Sequence, residues 1–145
     1  MDLDIGFRKN SIGGKICLKK IFNRALLIRI LKWIPAAAII AVSWYLSGKS
    51  RLTHFPTFRN ADKMVHFLCF AGLAFWVSFA MNIRTYDKFW IPTVFVSLYG
   101  IIDEIHQHFT PGRSCSLWDW CADTTGAAAG ALLFILIVSW MGRRE

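Results

Sequence analysis

Four apolar runs, at residues 33–46, 64–81, 89–105 and 118–141, alternate with short polar segments along the chain. Their length and nearly uncharged interiors predict membrane-spanning helices, because about 20 apolar residues cross a bilayer core. The first run is short, but it extends back through Leu31 if Lys32 snorkels to the interface. Pro35 and Pro92 fall in the first turns of the first and third runs, where proline is tolerated. Polar segments at 48–61, 82–88 and 107–117 connect the runs, and Arg143 and Arg144 stop the last one. The pattern predicts an all-α integral membrane protein with four transmembrane helices.

Composition supports that pattern. Hydrophobic residues make up 55% of the 145 positions and charged residues 18%, too apolar for an ordinary soluble domain of this length. Trp118, Trp120 and Trp140 lie near the ends of the last run, where an aromatic belt would anchor them. The GAAAGA stretch beginning at Gly126 reads as helix packing. Cys17, Cys69, Cys115 and Cys121 show no CxxC or Cys/His zinc spacing and read as small apolar fillers.

The net charge of +8 raises the question of a nucleic-acid partner. However, 8 of the 17 Lys and Arg precede residue 33, as in a cytoplasmic, membrane-proximal basic segment, and no nucleic-acid module is present. Two regions follow: a basic segment, 1–32, and a four-helix membrane domain, 33–145. Within the first, Leu18, Ile21, Phe22 and Ala25 share one helical side while Lys19, Lys20 and Arg24 project away. This is the pattern of an amphipathic helix on an anionic membrane surface; a disordered basic tail is the competing reading. No cleavable signal peptide is evident, so the first run is expected to remain as an anchor.

Four spans with a basic N-terminus put both termini in the cytoplasm. That topology brings the unusual polar residues to the outer face: Asp62, Lys63 and His66 at the start of the second span; Asp103, Glu104 and Gln107 at the end of the third; Asp119 and Asp123 at the start of the fourth. Charges at such positions are costly and mark functional candidates. Asp62 and His66 stack on one helix face, as do Asp103 and Gln107. Asp119, Asp123, Gly126 and Gly130 form one stripe, whose glycines admit a close helix neighbour. This stripe is expected to face the second and third helices, so that the carboxylates, His66 and Arg113 converge.

These blocks carry a family resemblance. NADKMVHFLCFAGLAF, DEIHQHFTPGR and DWCADTTGAAAG, in that order, resemble the VanZ-like membrane proteins, whose pattern is roughly DK-x-x-HF, DE-x-x-Q-x-F-x-P-G-R and D-x-x-x-N-x-x-G. The matching positions are Asp62, Lys63, His66, Phe67, then Asp103, Glu104, Gln107, Phe109, Pro111, Gly112, Arg113, then Asp119 and Gly126. The resemblance spans about residues 60–130. It implies a bacterial cytoplasmic-membrane, multi-pass protein associated with resistance to glycopeptide antibiotics such as teicoplanin. One position departs: Asp123 stands where the pattern has Asn. If Asp123 serves only as a hydrogen-bonding substitute, the favoured reading, Asp123→Asn should preserve function and hold or raise stability; if it is a proton donor or cation ligand, the same change should abolish function with the fold intact.

The chemistry reads two ways. His66 with Asp103 or Asp119 suits an acid/base pair, since histidine titrates near neutrality. Arg113, after Pro111 and Gly112, suits a two-pronged grip on phosphate or carboxylate, or pairs with Asp103 or Asp119. Asp62, Lys63, Glu104, Gln107, Arg113 and Asp123 would bind the ligand, an anionic lipid headgroup or lipid-linked wall precursor. The carboxylates suit Mg²⁺ or Ca²⁺, and His66 added to them suits Zn²⁺ or Mn²⁺, but no tight ligand spacing marks a metal and no cofactor is assigned. The alternative is a non-enzymatic scaffold or accessory subunit. There the polar cluster fastens helices together, and the Gly126/Gly130 face meets another membrane protein. Between Gly130 and Met141 only Ser139 is polar, which argues against an ion path through the membrane.

Overall fold

The computed structural model describes residues 23–50 and 60–144. The chain divides into two units, Met1–Lys32 and Trp33–Glu145. In the first, residues 23–31 are helical; the expected amphipathic segment around Leu18, Ile21 and Phe22 lies outside the described residues, as does most of the first polar loop. Among its described residues the second unit contains four α-helices: α1 (Ile34–Ser47), α2 (Ala61–Ala80), α3 (Trp90–His108) and α4 (Leu117–Met141), with a 3-10 turn at Tyr86–Lys88. No strand occurs among the described residues.

The helix boundaries follow local chemistry. Pro35 sits at the start of α1, where its missing N–H costs nothing. Asn60 precedes α2 and Asn82 follows it, both with left-handed backbone, which asparagine tolerates better than most residues. Two boundaries differ from the sequence expectation. α2 begins at Ala61, so Asp62 and Lys63 lie within its first turn. α3 runs through His108, which places Gln107 in its last turn instead of in the connecting loop. In each case the apolar run stops before the backbone hydrogen bonds do, because polar side chains find partners at the helix ends.

Three stretches are long and apolar enough to cross a membrane: Asn23–Ser47, Ala61–Ala80 and Leu117–Met141. α3 is not among them; its final turns carry Asp103, Glu104, His106, Gln107 and His108. The surface of the bundle is itself apolar. Leu68, Leu98, Ile102, Leu133 and Trp90 are each more than half exposed, while Asp103, Glu104, Gln107 and Asp123 are buried. Polar groups inside and apolar groups outside reverse the arrangement of a soluble protein and fit a lipid surround.

α2 and α4 form the most extensive helix pair. The two glycines of α4 set their distance. A Cβ on Gly126 would run into the Phe67 carbonyl, and one on Gly130 into the Ala71 carbonyl. Both belong to α2, so the glycine face is filled from within the chain. The stripe thus faces the second helix, as its spacing predicts. Beneath the polar end, Ala36, Phe70, Leu73, Ala74, Val77, Val96 and Ala127 form one apolar cluster. Ile83, Phe134 and Ile135 form a second.

Candidate functional site

The polar residues meet where α2 and α4 begin and α3 ends. Lys63, in the first turn of α2, reaches Asp119 in the first turn of α4 at 2.8 Å and its neighbour Asp62 at 2.9 Å. One turn deeper, His66 Nδ1 lies 2.9 Å from Asp123 Oδ1. The i, i+3 spacing of Lys63 and His66 on α2 and the i, i+4 spacing of Asp119 and Asp123 on α4 set these two rungs, one a turn below the other. The outer rung is partly exposed; in the inner one Asp123 is fully buried.

α3 contributes a second arm. Asp103 accepts a hydrogen bond from Ser47 Oγ at 2.7 Å and from Gln107 Nε2 at 3.1 Å. Gln107 Nε2 also approaches His66 Nε2 at 3.5 Å, linking the two arms weakly. Glu104 Oε2 accepts from the Ser116 backbone N–H at 2.7 Å, at the residue that precedes α4. Negative charge at a helix start is favoured there.

The turn before α4 positions Arg113. Arg113 N–H bonds the Thr110 carbonyl at 3.1 Å across Pro111 and Gly112, and Gly112 has φ +81°. Proline followed by a left-handed glycine is the pattern of a type II turn. Arg113 Nη2 then donates to Gln107 Oε1 at 2.9 Å. Of the two readings of Arg113 from sequence, the pairing with Asp103 or Asp119 does not form; Lys63 occupies Asp119, and Ser47 and Gln107 occupy Asp103.

Two openings border these groups. A small cavity of about 50 Å³ lies among Ser43, Ser47, His66, Phe70, Asp103 and Arg113. A larger cleft of about 200 Å³ is lined by Asp62, His66, Gln107, Gly112, Arg113, Ser114 and Asp119. His66, Gln107 and Arg113 border both. The structure thus brings together Asp62, Lys63, His66, Asp103, Glu104, Gln107, Arg113, Asp119 and Asp123, all of the residues singled out in the sequence.

Other participants were not singled out as site residues in the sequence. Ser47 ends α1 and binds Asp103 from 56 positions away, and serines are common at helix ends. Gly100 gives Asp123 its place: a Cβ there would come within 3.0 Å of Asp123 Oδ2 and 3.2 Å of Phe70. Its position one turn before Glu104 on the inward side of α3 was the available clue. His106 stacks on Trp44 with 3.9 Å between ring centroids. Trp120 is half-buried and donates to the Ser97 carbonyl at 3.2 Å, so it packs α4 on α3. That differs from the interfacial anchor expected of it, while Trp118 and Trp140 are exposed. Cys69, Cys115 and Cys121 are free thiols.

A bundle with an apolar exterior and a buried histidine–carboxylate cluster at one end defines a class of helical protein fitted to a membrane. Residues 7–138 match the VanZ/LLP1 family, and the chain belongs to that family. No curated protein and no solved structure matches it.

Proposed function

We propose that this chain is a four-span protein of the bacterial cytoplasmic membrane, with both termini in the cytoplasm, whose polar site faces outward and binds or acts on an anionic envelope molecule. The ligand class is a lipid headgroup or a lipid-linked wall precursor, which lies at the depth of the helix ends. One observation carries the reading: His66 and Arg113 border both the small cavity and the larger cleft. A guanidinium in that place attracts an anion, and only one hydrogen bond, to Gln107, engages it among the described residues. His66, with Asp123 against Nδ1, has the oriented ring that proton transfer requires. Asp103 and Asp119 flank it on either arm as the remaining acid/base candidates.

A second reading rests on a different observation. Hydrogen bonds of Ser47, Lys63, Asp103, Gln107 and Asp119 tie α1 to α3 and α2 to α4. In that reading the polar cluster is a clamp and the chain a non-enzymatic scaffold. The two are separated by His66→Ala and Arg113→Ala, scored for glycopeptide resistance in cells and for membrane abundance by immunoblot. The binding reading expects resistance to be lost in both at unchanged abundance. Loss of abundance in both supports the clamp.

A further inference from the structure

His66, Glu104 and Asp123 converge from three helices, and one potential ligand atom of each lies within 4.8 Å of the others. Glu104 is 3% exposed and Asp123 0%. Each carboxylate uses one oxygen on a partner already described, Glu104 Oε2 on Ser116 N–H and Asp123 Oδ1 on His66. The other oxygen of each, Glu104 Oε1 and Asp123 Oδ2, is buried without a hydrogen-bond partner among the described residues. Leaving a buried acceptor unpaired is costly, and two together in one cluster need a common explanation.

Charge points the same way. Around the site stand five carboxylates (Asp62, Asp103, Glu104, Asp119 and Asp123) against the permanent cations Lys63 and Arg113. Lys63 is committed to Asp62 and Asp119, and Arg113 to Gln107. No Lys or Arg among the described residues pairs with Glu104 or Asp123. A buried negative excess of that kind is stable only with bound protons or a bound cation.

We propose that His66, Glu104 and Asp123 form a binding site for one divalent transition-metal ion, Zn²⁺ or Mn²⁺. One imidazole nitrogen and two carboxylates suit these ions better than Mg²⁺ or Ca²⁺, which favour all-oxygen sets. Three protein ligands leave a coordination position open to water or to an anion. The hydrogen bond from Ser116 N–H to Glu104 fixes that ligand as an outer-shell partner does. The site deepens the proposed function, since a metal ion here would supply the positive charge that an anionic ligand needs in an acidic pocket. It stands or falls on its own test, which contains no lipid.

The test uses the full chain purified in detergent, stripped with a chelator, in a Cys115→Ser background that removes an exposed thiol ligand. Titration with MnCl2 or ZnCl2 alone, followed by calorimetry, is expected to give one bound ion per chain. MgCl2 should bind more weakly. Glu104→Gln and Asp123→Asn should each weaken the affinity by at least about tenfold. This reverses the expectation that Asp123→Asn is without functional effect. Should either variant fail to fold, pulsed EPR of the Mn²⁺-loaded wild-type chain decides: coupling to a histidine nitrogen is expected, and it should change in a ¹⁵N-histidine sample. No saturable binding, affinity unaltered in the folded variants, or bound Mn²⁺ without nitrogen coupling would each overturn the site.

Discussion

At one end of the bundle Phe134 meets Phe75 and Phe79 edge to face, with ring centroids 5.3 and 6.3 Å apart, beside Ile83 and Ile135. At the other, Lys63 and His66 face Asp119 and Asp123 across the same two helices. The backbones approach closely throughout, through Gly126 and Gly130. Their side chains differ in what they leave undone. Among the described residues the apolar end has no buried polar side-chain atom lacking a partner, whereas the polar end leaves Glu104 Oε1, His106 Nδ1 and Asp123 Oδ2 unpaired. A region selected only to hold helices together has no reason to keep such groups, because apolar replacements of similar volume are often as stable. The contrast assigns stability to the apolar half and the glycine seam, and chemistry to the polar end.

The sharpest way to break this comparison is at the seam. Gly130→Ala places a methyl group into the Ala71 backbone of α2, which cannot give way as a flexible side chain would. The expected cost is about 3 kcal/mol or more, at or beyond the upper end for overpacking. A thermal melt in detergent should show a large drop or no folded protein. An unchanged midpoint would mean that α2 and α4 are not held by this contact.

Much of this arrangement was legible before any coordinates. Helical spacing aligned Asp119, Asp123, Gly126 and Gly130, and alternation of span direction put Asp62, His66, Asp103 and Glu104 at one end. Spacing could not say which residues pair. Lys63 to Asp119 and His66 to Asp123 are contacts across 56 and 57 positions, fixed by the axial register of α2 against α4. The partner of Arg113 stayed open for a related reason: its turn determines its reach, and that depends on where α3 ends. Ser47 was invisible because it is an ordinary residue for a helix end, and Gly100 was marked only by its spacing from Glu104; each is made special by the helix it faces.

An intermediate effect is expected where α1 joins the polar end. Ser47 Oγ donates to Asp103 Oδ1 at 2.7 Å, and both residues are buried. Ser47→Ala removes a donor from a carboxylate and leaves Gln107 as its partner. A loss of about 1–3 kcal/mol in detergent stability follows. A larger loss than at Gly130 would reverse the division of labour, making the polar network the main fastening of the bundle.

The smallest effect on stability, and the most informative, is expected at Asp123. In Asp123→Asn the side-chain oxygen can still accept from His66 Nδ1, and the introduced NH2 replaces the unpaired Oδ2. One substitution thereby removes a buried charge and the unpaired carboxylate oxygen that carries it. The chelator-stripped variant should melt at the wild-type temperature or slightly above it, a gain of about 1 kcal/mol at most. Addition of Mn²⁺ or Zn²⁺ should then stabilise the wild-type chain and leave the variant unmoved, because ligand binding raises stability only for a state that binds. A stripped variant clearly less stable than the wild type would mean that the Asp123 carboxylate is held by its surroundings as a structural charge, and that the polar end resembles the apolar end in purpose.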